Sequence, residues 1–153
     1  MSINIQLIKS SGAAVQDLGV PVAEYFYNYM FTHFPEVRKM FPGDMTEQRI
    51  RLFNSVILIA TNIDTMEVLV PYLKELGVGH IKYDTRPEHY LIVGKSLLNT
   101  LKHFLGEAWT REMAQSWIEA YNLAASVCIE AAYEAMAPTR YAAVTLDDVP
   151  PSV

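Results

Sequence analysis

An all-α fold of seven or eight helices is what this sequence predicts, and three observations carry the prediction. Apolar residues recur at three- and four-residue spacing through most of the chain, and no segment sustains a period-two alternation. Glycine and proline are scarce, with seven and eight residues, and most fall between the periodic segments where they act as breakers. The 153 residues are 51% apolar and 19% charged, which suits one packed domain and excludes disorder over most of its length.

The first helix is expected from about Asn4 to Asp17, carrying Ile5, Ile8 and Ala13 to Val15 before Gly19-Val20-Pro21. Pro21 suits the first turn of a second helix, where its missing N–H costs nothing. That helix holds Val22, Tyr25, Phe26, Tyr29 and Met30, up to Phe34-Pro35. A short helical piece over Pro35 to Phe41 is stopped by Pro42-Gly43. Thr46 opens the next helix, with Leu52, Val56, Ile59 and Ile63 as its apolar stripe. Asp64-Thr65 is positioned to cap a helix striped by Leu69, Leu73 and Leu76 and continued by His80. A corner spans Lys82 to Arg86, and Pro87-Glu88 starts a helix with Tyr90, Val93, Leu97, Leu101 and Leu105 on one face. The last helix begins at Thr110 and carries Met113, Trp117, Tyr121, Ala124, Cys128 and Ala132. From Pro138 the composition turns to Ala, Asp, Pro and Ser. The expected division is a domain over 1–138 and a flexible tail over 139–153.

Charge and cysteine content exclude several classes of function. Twelve Lys and Arg against seventeen Asp and Glu give a net charge of −5, with no basic cluster for nucleic acid. Cys128 is the single cysteine, so an internal disulfide is impossible. It lies on an apolar helical face and reads as a buried, inert thiol. The N-terminal stretch lacks the pattern of a signal peptide, and runs such as VILIA are too short to span a bilayer. A cytoplasmic location is the expectation.

Four histidines are present, and His80 stands apart because it extends an apolar stripe at a helix end flanked by Gly77 and Gly79, both just before it in sequence. Those glycines are expected to leave room for a flat group. Two readings stay open: a histidine capping a helix C-terminus, favoured by the macrodipole, or a metal ligand. His33, His89 and His103 read as surface residues. No paired carboxylates, phosphate loop or nucleophile motif occurs.

The stretch FYNYMFTHFPEVRKMF at 26–41 resembles the second and third helices of bacterial single-domain haemoglobins and of the haem domain of flavohaemoglobins. LGVGHIKYDTRPEHYLIVGKSLLNTL, from Leu76 to Leu101, resembles their proximal helix, corner and next helix. WIEAYNLAASV at 117–127 resembles their last helix, and QRIRLFNSVILIATNID at 48–64 their distal helix. On these motifs the chain is identified as a member of the globin family, over residues 4 to 136.

The resemblance implies a three-over-three helical sandwich around one non-covalent haem b, since no C-x-x-C-H attachment motif is present. It makes His80 the proximal iron ligand and Phe41 the aromatic wedge against the haem. Tyr27 and Gln48 fall at the distal polar pair, both able to donate to bound O₂. Leu52, one turn after Gln48, supplies an apolar distal wall. Leu76, Tyr83, Tyr90 and Val93 complete the implied haem-binding set, and Lys82 and Arg86 are candidates to pair with the propionates. No histidine lies between His33 and His80, so the distal helix cannot supply a second imidazole.

One departure bears on chemistry. The flavohaemoglobin pattern pairs the proximal histidine with a tyrosine and a glutamate. Tyr90 matches the tyrosine, but Ala132 stands at the glutamate position. Glu130 and Glu134 lie about 200° round the helix from that face. Without a carboxylate to raise imidazole basicity, peroxidase-like chemistry and fast NO turnover are in doubt. The chain ends soon after the last helix, so electrons are expected from a separate reductase. The first expectation is reversible binding of O₂, with CO and NO as further ligands, for delivery or storage. Nitric oxide dioxygenation and gas sensing are the alternatives.

Overall fold

The computed structural model describes residues 3–140 together with 147 and 151. Six α-helices, α1 (Ile5–Leu18), α2 (Pro21–His33), α3 (Thr46–Thr61), α4 (Met66–Gly79), α5 (Pro87–Leu105) and α6 (Arg111–Arg140), account for most of them. Short 3₁₀ segments lie at Pro35–Met40, Ile81–Tyr83 and Gly106–Ala108. No strand occurs among the described residues. The seven expected segments are therefore present, six as α-helices and the Pro35 piece as a tighter 3₁₀ turn. Helix α6 passes Pro138 to reach Arg140, and the rest of the expected tail lies largely outside the described residues.

Local chemistry explains where the helices start. The Asn4 side chain accepts from the Leu7 N–H and caps α1. Pro21 sits in the first turn of α2 as expected. Ahead of α3, Asp44 accepts from both the N–H and the hydroxyl of Thr46, at 3.0 and 2.7 Å. Those bonds hold the Asp44 carboxyl below its ordinary pKa, the backbone contact being the larger cause. Asp64 does not cap α4 with its side chain. Its carboxylate pairs instead with Lys9 of α1 at 2.7 Å.

Helices α1 and α3 pack together in one layer and α2, α5 and α6 in the other, with α4 laid on α6. The layers join where α2 crosses α3 and α1 meets α6. A polar tie reinforces the last crossing: Trp117 Nε1–H donates to Ser11 Oγ at 2.9 Å, both residues buried. The core is continuous, from Ile8 and Val15 through Phe26 and Met30 to Leu73, Leu101 and Trp117.

Three details depart from the sequence reading. In α2, Tyr25 and Tyr29 are half-buried and turn outward, stacking on His103 and His33 at centroid distances of 4.2 and 4.0 Å. In α3, only Ala60 is fully buried, and Leu52, Val56 and Ile59 remain half-buried. In α4, the buried stripe is Leu69, Leu73 and Gly77, which packs on α6, while Leu76 and His80 occupy a neighbouring, half-buried face.

Candidate functional site

Two clusters contain the candidate residues. The first lies where α2, the Pro35–Met40 turn and α3 converge. Tyr27 is 3% exposed, and its ring meets Phe41 edge-on with centroids 5.5 Å apart. Gln48, in the first turns of α3, donates through Nε2–H to Tyr27 Oη at 3.1 Å. Arg51, one turn on, donates to Gln48 Oε1 at 3.3 Å. The hydrogen of Tyr27 has no acceptor among the described residues, so the phenol keeps one donor to offer. Burial pushes the Tyr27 pKa up to about 12, against smaller lowering by Gln48 and Arg51. At neutral pH it is a neutral O–H donor.

Leu52 and Val56 follow on α3 and line a narrow apolar cavity with Val15, Phe26, Leu97 and Leu101. Both the packing role and the wall role of Leu52 are compatible with that position. On the other side, Tyr27 borders a polar cleft with Asn28, Arg38, Asp44 and Arg49.

The second cluster surrounds His80 at the C-terminal end of α4. Nδ1 lies 2.5 Å from the carbonyl oxygen of Leu76. A carbonyl only accepts, so Nδ1 carries the hydrogen and Nε2 keeps its lone pair. The backbone thus selects the tautomer that leaves a metal-ligating nitrogen open. Tyr83 and Tyr90 flank the ring with centroids 6.4 and 6.3 Å away. Tyr83 is 54% exposed, with Lys82 Nζ over its ring, while Leu76, Tyr90 and Val93 are half-buried against the core. Arg86 pairs with Asp84 at 3.3 Å on the exposed corner.

The space around His80 is arranged differently from the sequence reading. A Cβ on Gly77 would lie 2.2 Å from the Cys128 carbonyl oxygen, so Gly77 admits the backbone of α6, not a flat ligand. Gly79 is the one with open space, nothing lying within 4 Å of a Cβ there. Below the histidine, Cys128 is buried, donates to the Leu73 carbonyl at 3.2 Å, and has its pKa pushed to about 11 by burial. Its inert character agrees with the sequence reading.

Tyr121 Oη donates to the Tyr90 carbonyl, fixing α6 against the start of α5. The Tyr90 hydroxyl itself is buried with no hydrogen-bond partner, and its pKa is raised to about 12 by burial first and Cys128 second. Glu130 and Glu134 are both exposed and Ala132 is half-buried. No carboxylate among the described residues reaches this tyrosine. Sequence reasoning missed Arg51 and the Leu76 carbonyl, because each contact depends on side-chain direction across a helical turn.

The remaining histidines have local duties. His33 Nδ1 pairs with the Tyr29 carbonyl at 2.9 Å, His103 stacks on Tyr25, and His89 Nδ1 accepts from the Arg86 N–H at 2.9 Å at the head of α5. No group of three or more His, Cys, Asp or Glu among the described residues is arranged to hold a metal ion. Helices α3 and α4, which carry the two clusters, are not among the closely packed pairs.

A two-layer helical sandwich with one imidazole whose Nε2 is left open at a helix end defines a class of α-proteins able to cradle a cofactor. The globin family profile matches residues 24–128, and the chain belongs to the globin family. It is 38% identical over 128 residues to a flavohemoprotein of Bacillus subtilis, an alignment covering 82% of this chain and 32% of the relative. A bacterial globin from Campylobacter jejuni superposes with a TM-score of 0.77 at 28% identity, over 86% of this chain and 95% of that one. The flavohemoglobin of Malassezia yamatoensis, solved with FAD and haem, shares the fold at a TM-score of 0.72 and 21% identity, over 87% of this chain and 36% of that one. The chain spans about a third of the length of the flavohemoproteins it matches. No helix among the described residues is long and apolar enough to cross a membrane.

Proposed function

We propose that this chain holds one haem b non-covalently through His80 Nε2 and binds O₂ reversibly. The observation that carries the reading is the hydrogen bond from Gln48 to Tyr27, which leaves the phenol hydrogen as a donor. The residues present fit a haem. One imidazole has its Nδ1 engaged and Nε2 open, and half-buried apolar side chains, Phe41, Leu52, Leu76 and Val93, are available to contact a macrocycle. Haem supplies an iron atom at which diatomic gases bind.

The protein's contribution is then positional and electrostatic. His80 is held in one tautomer by Leu76. Phe41 braces Tyr27 edge-on, and Gln48 fixes the direction of its hydroxyl. A donor held in a buried site favours a polar ligand such as O₂ over the less polar CO. Tyr83, Tyr90, Lys82 and Arg86 lie on the His80 side of the site and belong to this proposal as flanking groups.

Nitric oxide dioxygenation with a separate reductase is the reading that the proximal cluster supports less. Its imidazole partner is a neutral backbone carbonyl, and no carboxylate among the described residues meets Tyr90. A neutral partner leaves the imidazole a weaker electron donor than a carboxylate does. Absorption spectra of the purified protein in ferric, ferrous and oxygenated forms test the proposal. A five-coordinate ferrous spectrum and a long-lived oxygenated form are expected. Rapid NO consumption by the oxygenated form, sustained by an added reductant, would favour the dioxygenase instead.

A further inference from the structure

We propose that Arg51 sets the direction of the distal hydrogen-bond chain, acting as a positioning residue for oxygen retention; this rests on the reading of Tyr27 as the distal donor. An amide such as Gln48 can face Tyr27 with either end. If its NH₂ faces the phenol, Gln48 donates and the Tyr27 hydrogen is left over for a ligand. If its carbonyl faces the phenol, Tyr27 donates to Gln48 and has nothing left to offer. The two arrangements differ by one side-chain flip and have opposite consequences.

Arg51 decides between them. A guanidinium has only donors, so whatever faces it must accept. Arg51 contacts the Oε1 side of Gln48 at 3.3 Å, and the NH₂ is thereby directed at Tyr27 Oη at 3.1 Å. The flipped amide would put donor against donor at Arg51. The spacing follows from the helix: Gln48 and Arg51 are three residues apart on α3 and so share a face. Arg51 makes no ion pair among the described residues, and Gln48 is its polar contact. Its positive charge also reaches the phenol, where it opposes the effect of burial. The surface arginine thus keeps the buried phenol pointing its hydrogen away from the amide.

The test is a comparison of O₂ and CO dissociation in Arg51→Met, Arg51→Lys and Tyr27→Phe, together with the C–O stretching frequency of the CO form. Methionine retains the aliphatic stem and removes the donors, whereas lysine keeps one charged donor. Arg51→Met is expected to speed O₂ dissociation roughly three- to tenfold, matching the loss of one modest hydrogen bond. CO dissociation should stay unchanged, and the C–O stretch should move toward the Tyr27→Phe value. Arg51→Lys should stay within about twofold of the parent protein, and Arg51→Met should add nothing in the Tyr27→Phe background. If Tyr27→Phe itself leaves O₂ dissociation unchanged, the distal reading fails. If Tyr27→Phe releases O₂ faster but Arg51→Met does not, the distal reading stands and the role of Arg51 is overturned. Equal effects of lysine and methionine would overturn it as well.

Discussion

The imidazole of His80 and the carbonyl of Leu76 meet at 2.5 Å, one helical turn apart at the end of α4. The same carbonyl also accepts from the His80 backbone N–H at 3.2 Å, so the final turn of the helix presents the ring. The two open readings of this residue are thus compatible. The histidine ends the helix, and its Nε2 is left unengaged among the described residues.

Replacing His80 with alanine removes the imidazole that the proposed function assigns to the haem iron. Haem should be retained only by apolar contacts and lost on gel filtration. Added imidazole should restore the five-coordinate ferrous spectrum. A His80→Ala protein with parental ferrous and CO-bound spectra, in the absence of imidazole, would show the ligand assignment to be wrong.

Tyr27→Phe removes the distal donor but keeps the ring against Phe41. A hydrogen bond to a partly charged oxygen is worth roughly 1.5–3 kcal/mol, so O₂ dissociation should accelerate by about ten- to a hundredfold. CO dissociation should change far less, since its oxygen is less polar. Stopped-flow measurement of both gases is the check, and equal changes would indicate a steric role.

Gly77→Ala should destabilise the fold by about 1–3 kcal/mol or more, as overpacking does where the obstacle is backbone. The added Cβ would meet the Cys128 carbonyl and carbonyl carbon of α6, and α4 must shift to accommodate it. Because His80 lies three residues on, haem affinity should fall with stability. Gly79→Ala is the control: it meets nothing within 4 Å and should stabilise the helix by roughly 0.4–1 kcal/mol. Urea unfolding of both variants gives the comparison.

Alkaline pH should weaken the apoprotein. Tyr27 and Tyr90 are raised from 10.0 to about 12, Cys128 from 9.0 to about 11, and Tyr121 upward as well, all chiefly by burial. The folded state therefore holds these protons more tightly than the unfolded chain. Their contribution is fully present below about pH 9 and is lost as pH rises through 11 to 12. Urea midpoints should fall across that window, and Tyr27→Phe should flatten part of the decline. A midpoint independent of pH there would contradict the burial of these groups.

Much of this protein was legible in its sequence, for a reason that is local. Helical periodicity, the Pro21 and Pro87 starts and the Pro42-Gly43 break act within a few residues, and the helices begin and end close to where these signals put them. His80 was conspicuous at a helix end because its own segment made it so. The resemblance to globins rested on motifs of this kind, and the family match agrees with it.

What only tertiary structure decided are the matters that depend on which neighbour arrives from a distant part of the chain. The sequence placed a small residue at Gly77, but the α6 backbone at Cys128, 51 positions later, determines that its space is filled. Tyr25 fits an apolar stripe, yet α5 offers His103 on the outer side and the two rings stack there. The donor direction of Tyr27 is set by Gln48 and Arg51, from a helix that reaches α2 only after the intervening turn has folded back. Periodicity tells which residues avoid water. It does not tell whether they pack on protein or border a ligand, because both environments exclude water and ask for the same side chains.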